Sequence, residues 1–184
     1  MITIADFSEN YRCVNQDEIQ SAYYSYQQAT LFPLIAYYTC LDCNDAVVQE
    51  SVVFISPDLV HDAMAVAQYL KKMTEHVQGH VKFVHEVQFT DGCSSQFKSK
   101  LPFQHLSETK THNFERSYFG SRHGKGPCDA LGGIIKKQAE MYVRTRKGSI
   151  QDAKALFEFC DINLTINTDS KCQHKKECSS TKKT

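Results

Sequence analysis

Three aspartates stand at the ends or beginnings of recognisable elements. Asp6 closes an alternation of β-branched and small residues, Met1 to Phe7, that reads as a short first strand. Asp91 follows the apolar run Val81 to Phe89 and opens an Asp-Gly pair, and Asp129 opens a helix-forming stretch after a Gly-rich loop. In open α/β sheets ligands bind outside the carboxyl ends of the strands. Carboxylates gathered there can hold two divalent cations, which activate a water or hydroxyl, orient a phosphodiester and stabilise its leaving oxygen. Mg2+ or Mn2+ suits such a set, because hard cations take oxygen ligands and Mg2+ keeps several of its waters. Without metal the carboxylates would repel one another, so a bound cation should stabilise the fold. Each position also has an ordinary reading: Asp91-Gly92 is a common turn, and Asp129 could cap a helix.

Other residue sets carry weaker chemistry. Cys40-x-x-Cys43 is half of a zinc site, which needs about four soft ligands, and Cys172, His174 and Cys178 are the residues that could supply the rest; free cysteines on a turn are the alternative. Cys93, Cys128 and His123 offer a thiol and a base but no partner to orient the base. Gly124-Lys125-Gly126 lacks the G-x-x-x-x-G-K-[ST] spacing, which argues against a nucleotide triphosphatase. Tyr23, Tyr24, Tyr26, Tyr37 and Tyr38 could stack on bases, but at this density strand and core packing accounts for them better.

The elements that must position these residues follow from pattern. Ala29 to Thr39 and Ala46 to Ile55 are β-branched and aromatic runs that predict two strands joined by a turn, with Pro33 making the first an edge or irregular strand. Ser56-Pro57-Asp58 predicts a helix start, and Leu59, Met64, Val66, Leu70, Met73 and Val77 keep a helical period as far as Gly79. Val81 to Phe89 is a further strand, Ser94 to Ser107 a helix disturbed by Pro102, and Asn113 to Phe119 a fifth strand. A helix runs from about Asp129 to Arg146 despite Gly132 and Gly133, and Ser149 caps a last one through Cys160. Three strands in succession predict an antiparallel meander, and the later alternation predicts parallel strands with helices on both faces.

Composition sets the outer bounds. With 41% hydrophobic and 23% charged residues over 184 positions, the chain is neither fibrous nor wholly disordered; it reads as one domain, residues 1–166, followed by a flexible basic tail, 167–184. Lys and Arg balance Asp and Glu at 21 each, yet the balance hides a separation. From Met1 to Asp62 nine acidic residues face Arg12 alone; from Ser94 to Lys147 eleven basic residues face four acidic ones. A fold that joins the two would suit cations and phosphates together. No apolar run approaches the length of a membrane span and the N-terminus lacks a secretory signal, so the expectation is an intracellular or nuclear protein, not secreted, with no membrane partner and with cysteines reduced or metal-bound.

Three segments carry a resemblance. They are Ile4-Ala-Asp6-Phe-Ser-Glu9-Asn10-Tyr11 with Gln16-Asp-Glu18-Ile-Gln20, then Phe89-Thr-Asp91-Gly-Cys93-Ser-Ser-Gln96-Phe-Lys98, and His123-Gly-Lys-Gly-Pro-Cys-Asp129-Ala-Leu-Gly-Gly-Ile-Ile-Lys136. Over about residues 1 to 147 the chain resembles uncharacterised transposon-derived animal proteins whose core is similar to DDE/D transposases and integrases of the ribonuclease H-like superfamily. The resemblance implies a ribonuclease H-like α/β fold of about five strands, the first three antiparallel, flanked by helices. It implies Asp6, Asp91 and Asp129 as catalytic ligands of two Mg2+ or Mn2+ ions, with Gln96, Lys98, His123 and Lys125 beside them and Glu140 as a rival third carboxylate. Lys98 and Lys125 would contact phosphate, and His123 would donate to a leaving oxygen. The implied activity is cleavage or strand transfer of DNA; the alternative is a catalytically inactive, domesticated domain that binds nucleic acid or protein, with zinc as a stabiliser. Self-association is a further partner that the resemblance leaves open. The chain starts almost on the first catalytic strand, without a site-specific DNA-binding domain before it, and ends soon after the last core helix. It therefore reads as a fragment, a truncated copy or a domesticated gene.

Overall fold

The structure, a computed structural model, describes residues 1–13, 27–39, 47–79, 81–108, 112–120 and 126–164. In chain order the elements are β1 (Ile2–Ala5), β2 (Ser8–Arg12), β3 (Gln28–Thr39), β4 (Val47–Ser56), α1 (Ala63–Gln78), β5 (His85–Thr90), α2 (Lys100–Glu108), β6 (Asn113–Tyr118), α3 (Pro127–Arg144) and α4 (Ala153–Asn163). The strands form one mixed sheet. β3 runs antiparallel to β4 on one edge and to β1 and β2 on the other; β1 continues into β5 and β5 into β6, both parallel. The expected division into an antiparallel meander and a parallel half is therefore present.

β1 and β2 are one strand interrupted at Asp6–Phe7. Both pair with the same edge of β3 in a continuous register, Ala5 opposite Leu34 and Ser8 opposite Leu31. The cause of the break lies across the ladder. Asp6 N–H donates to Pro33 O at 3.4 Å, and Pro33 has no N–H to return. From sequence Pro33 marks an edge or irregular strand; β3 is interior, not an edge, and the missing donor makes the ladder irregular by opening its neighbour. The polar segment Ser8–Arg12, which the sequence does not mark as a strand, buries Ser8 and Tyr11 on either side of a bulge.

β3 is buried on both faces, which is why its sequence is almost continuously apolar. Phe32, Leu34, Ala36 and Tyr38 pack with Val66, Leu70, Met73 and Val77 of α1, while Ala29 and Leu31 pack with Ile135, Ala139, Leu156 and Phe159 of α3 and α4. A buried polar network ties the parallel strands together. Glu86 of β5 accepts from Thr3 of β1 (3.2 Å) and meets His112 Nε2 (3.0 Å), and Gln88 Oε1 accepts from Arg116 Nε and Nη2 of β6 at 3.1 and 2.8 Å.

Three helix starts differ from expectation, two of them in the capping residue. Ser56 ends β4, its Oγ accepts from Asp58 N (3.1 Å) and Asp58 Oδ1 accepts from Val60 N (3.0 Å), so both side chains serve local turns. The cap of α1 is Asp62, bonded to Ala65 N at 2.9 Å. Likewise Asp152, not Ser149, caps α4, through Ala155 N at 2.7 Å. Residues 94–99 form turns and bends, and α2 begins at Lys100 with Pro102 in its first turn, where a missing N–H costs nothing. Among the described residues no helix is long and apolar enough to cross a membrane. The expected tail lies outside the described residues.

Candidate functional site

Register brings the first two aspartates together. Ala5 of β1 pairs with Thr90 of β5, so Asp6 and Asp91 are the next residues on adjacent parallel strands, whose backbones lie about 4.8 Å apart. Ala5 and Thr90 are both fully buried against the α1 face of the sheet, so by alternation the two carboxylates turn toward the opposite face, where α3 lies.

Helix α3 brings the third. It docks along β1 and β2 with one contact per turn: Cys128 Sγ donates to Ile4 O (3.5 Å), Gly132 rests against Ser8, and Lys136 Nζ donates to Glu9 O (3.3 Å). A Cβ at Gly132 would collide with the Ser8 side chain, so the glycine that weakens the helix is what lets it approach the strand. Asp129 stands in the first turn of α3. It is not the cap, since that position is Gly126, which makes no side-chain cap bond, followed by Pro127.

The electrostatics record this convergence. The Asp6 carboxyl is raised to about 6, first by burial and then by the charge of Asp91; the Phe7 amide opposes the shift and Asp129 contributes to it. Burial, then Asp6 and Asp129, push the Cys128 thiol up to about 12. A thiol so protonated, buried and committed to a carbonyl does not serve as a nucleophile. Glu140 is not brought to this point. It lies eleven residues beyond Asp129 along α3, about 16 Å at 1.5 Å rise, pairs with Arg144 at 3.9 Å and adds its charge at Tyr11 instead.

Lys98 closes the other side. Its Nζ lies 4.4 Å over the Tyr118 ring and folds across Gly92, where a Cβ would stand 3.0 Å from it, so a cation is held beside Asp91. Gln96 is half-buried in the preceding turn. Asp91 Oδ1 also accepts from Cys93 N at 3.1 Å, the turn role that Asp-Gly implies. His123, Lys125, Cys40, Cys43, Cys172, His174 and Cys178 lie outside the described residues.

The donors at Asp6, Asp91 and Asp129 are all hard oxygens, a chemistry that fits Mg2+ or Mn2+. Their geometry is looser: among the described residues no group of three or more His, Cys, Asp or Glu is arranged to hold a metal ion. The carboxylates share a field without closing into a ligand shell. Sequence reasoning passed over Gly132 as a mere helix weakener, although a glycine inside a helical pattern is itself a signal of close approach. No curated protein matches the sequence. The family model described as a domain of unknown function, DUF8701, spans residues 1–184, and the chain belongs to that family.

Proposed function

We propose that this domain binds divalent cations at Asp6, Asp91 and Asp129 and acts on DNA phosphodiesters, by cleavage or strand transfer, as a ribonuclease H-like core of the transposase and integrase type. The observation that carries the reading is the exit of Asp6 and Asp91 from adjacent parallel strands at one register, with α3 docked so that Asp129 adds its charge at the same point. The sheet supports it as well: with β1–β2 taken as one interrupted strand, the first three strands are antiparallel and β5 and β6 run parallel to β1, in keeping with the mixed sheet that the resemblance implies. When bound, the cations would supply an activated oxygen nucleophile and charge neutralisation at the scissile phosphate. The chain's own residues do the rest. The carboxylates hold the ions, Lys98 neutralises a neighbouring phosphate from its perch on Tyr118, and the basic segment from Ser94 to Lys147 supplies further contacts along the backbone. A DNA substrate would place the protein in the nucleus or elsewhere inside the cell.

A second reading keeps the fold and drops the chemistry, leaving a domesticated nucleic-acid- or protein-binding domain. The looseness of the carboxylates favours it. Titration calorimetry with Mg2+ and Mn2+, paired with a plasmid-nicking assay, decides between them. On the first reading wild type binds and nicks, Asp91→Asn binds no metal, and Asp6→Ala, Asp91→Ala and Asp129→Ala each abolish nicking with unchanged circular dichroism. A wild type that binds DNA but neither metal would leave the second.

A further inference from the structure

Asp6 is the residue on which that centre turns, and the sheet holds it poorly. Its amide reaches Pro33 O at a stretched 3.4 Å, and the return bond to its own carbonyl is absent because Pro33 has no N–H. The next residue supplies the restraint. The Phe7 ring meets Phe32 edge-on at 4.7 Å, approaches Tyr69 at 6.5 Å, and lies flat against the imidazole of His61, with centroids 4.1 Å apart and planes 12° from parallel.

Phe32 and Tyr69 belong to the core beneath α1 and would be packed there in any case. His61 is different. It lies in the irregular segment between β4 and α1 and is oriented by polar bonds. Thr30 Oγ1 stands 2.7 Å from the Asp58 carbonyl and 3.4 Å from Asn10 Oδ1, both acceptors, so its single hydroxyl proton is committed to them, chiefly to the shorter contact. His61 Nε2, 3.0 Å from the same Oγ1, must then be the donor, which sets the tautomer and tethers that edge of the ring, while the stack on Phe7 sets its plane. Thr30 is 1% exposed, so the anchor is rigid. Filling space against Phe7 would need only an apolar side chain. A ring stacked on Phe7 and tethered by a buried hydroxyl restrains where the Phe7 ring, and with it the Asp6–Phe7 peptide, can go.

Building on the reading of Asp6 as a metal-binding carboxylate, we propose that His61 is a positioning residue: anchored on Thr30 and stacked on Phe7, it holds the Asp6–Phe7 peptide where Pro33 leaves the ladder open, and so keeps the Asp6 carboxylate directed at Asp91 and Asp129. Its role is exercised through Phe7, without contact to cation or substrate.

Two measurements test this on the full chain, with His61→Ala removing the plate, His61→Phe keeping a flat ring, and Thr30→Val removing only the anchor. Residue-resolved amide exchange of the metal-free protein should show the Asp6 amide exchanging about tenfold faster in His61→Ala, with the Val87 amide, bonded to Met1 O at 3.0 Å, unchanged. His61→Phe and Thr30→Val, which each keep a flat ring without its anchor, should both fall between His61→Ala and wild type. Mn2+ affinity should follow the same order, down about tenfold in His61→Ala, the range seen when outer-shell partners of a metal ligand are lost. Wild-type protection at Asp6 in His61→Ala, an equal loss at Val87, or a His61→Phe variant no better than His61→Ala would each overturn the proposal. So would unchanged Mn2+ affinity in His61→Ala. A wild type that binds no Mn2+ retires the metal reading alone, because the exchange pattern still decides whether His61 holds the strand break.

Discussion

Asp6 costs the protein stability, and the sign of that cost can be measured. Its carboxyl titrates at about 6 in the folded chain against 3.8 for a free side chain. Between those values the native state binds more protons than the unfolded one, so stability falls as pH rises through the window and the full penalty is present above pH 6. His76, raised by its 2.6 Å contact with Glu50, adds a slope of the same sign as it loses its proton, so a pH profile of the wild type cannot isolate Asp6 by itself. The comparison with Asp6→Asn can. The variant should be the more stable of the two at pH 7 in urea titrations of metal-free protein, and the gap should shrink as the pH is lowered toward 4. Saturating Mn2+ should narrow the gap at pH 7 from the wild-type side, since only the wild type has the ligand. Parallel wild-type and variant profiles from pH 4 to 7 would mean that neither burial nor the charges of Asp91 and Asp129 raise the Asp6 carboxyl.

At the scale of elements, the docking of α3 decides whether Asp129 reaches the site, and two adjacent glycines report on it with opposite signs. Gly→Ala inside a helix ordinarily gains up to about 1 kcal/mol. Gly133 faces open space, so Gly133→Ala should show that gain in chemical denaturation. Gly132→Ala must instead push α3 off Ser8, an overpacking cost of about 1 to 3 kcal/mol that exceeds the helix gain, and Ser8→Gly in the same chain should recover most of it. Equal effects at the two glycines would show that α3 does not lie on β2 in this register. The sequence revealed this layer unevenly. The long apolar runs of β3 and β4 and the period of α1 and α3 were legible because burial on one or both faces imposes them. The start of α1 was misplaced because Ser and Asp cap turns and helices with the same oxygen, and only the folded path assigns Asp62 to the helix and Asp58 to a turn. β2 was hidden because Ser8–Arg12 is a polar strand whose burial comes from α3, a partner more than a hundred residues away. The three aspartates could be singled out by the elements they flank, but their meeting depends on a β1–β5 pairing that no local pattern encodes.

At the scale of the whole molecule, the zero net charge conceals a division between an acidic and a basic part of the chain. The acidic N-terminal third contributes Asp6, while the basic stretch from Ser94 to Lys147 contributes Lys98, β6 and α3, and both meet at the carboxyl ends of β1 and β5. A DNA strand drawn to that end would lie against lysines and deliver its phosphates to the carboxylates, and each phosphate neutralised releases counterions. DNA affinity measured by fluorescence anisotropy in Ca2+ should therefore fall linearly on a log–log plot against salt. Lys98→Gln should weaken binding at low salt and reduce the slope by about 0.9, the share of one phosphate contact. Lys154 provides the control: it stands on α4, which packs over β3 and β4, and is paired with Glu158 at 3.9 Å, so Lys154→Gln should leave slope and affinity unchanged. If Lys98→Gln and Lys154→Gln change binding equally, the chain attracts DNA only by diffuse charge, and the end of the sheet that carries Asp6 and Asp91 is not where DNA lies.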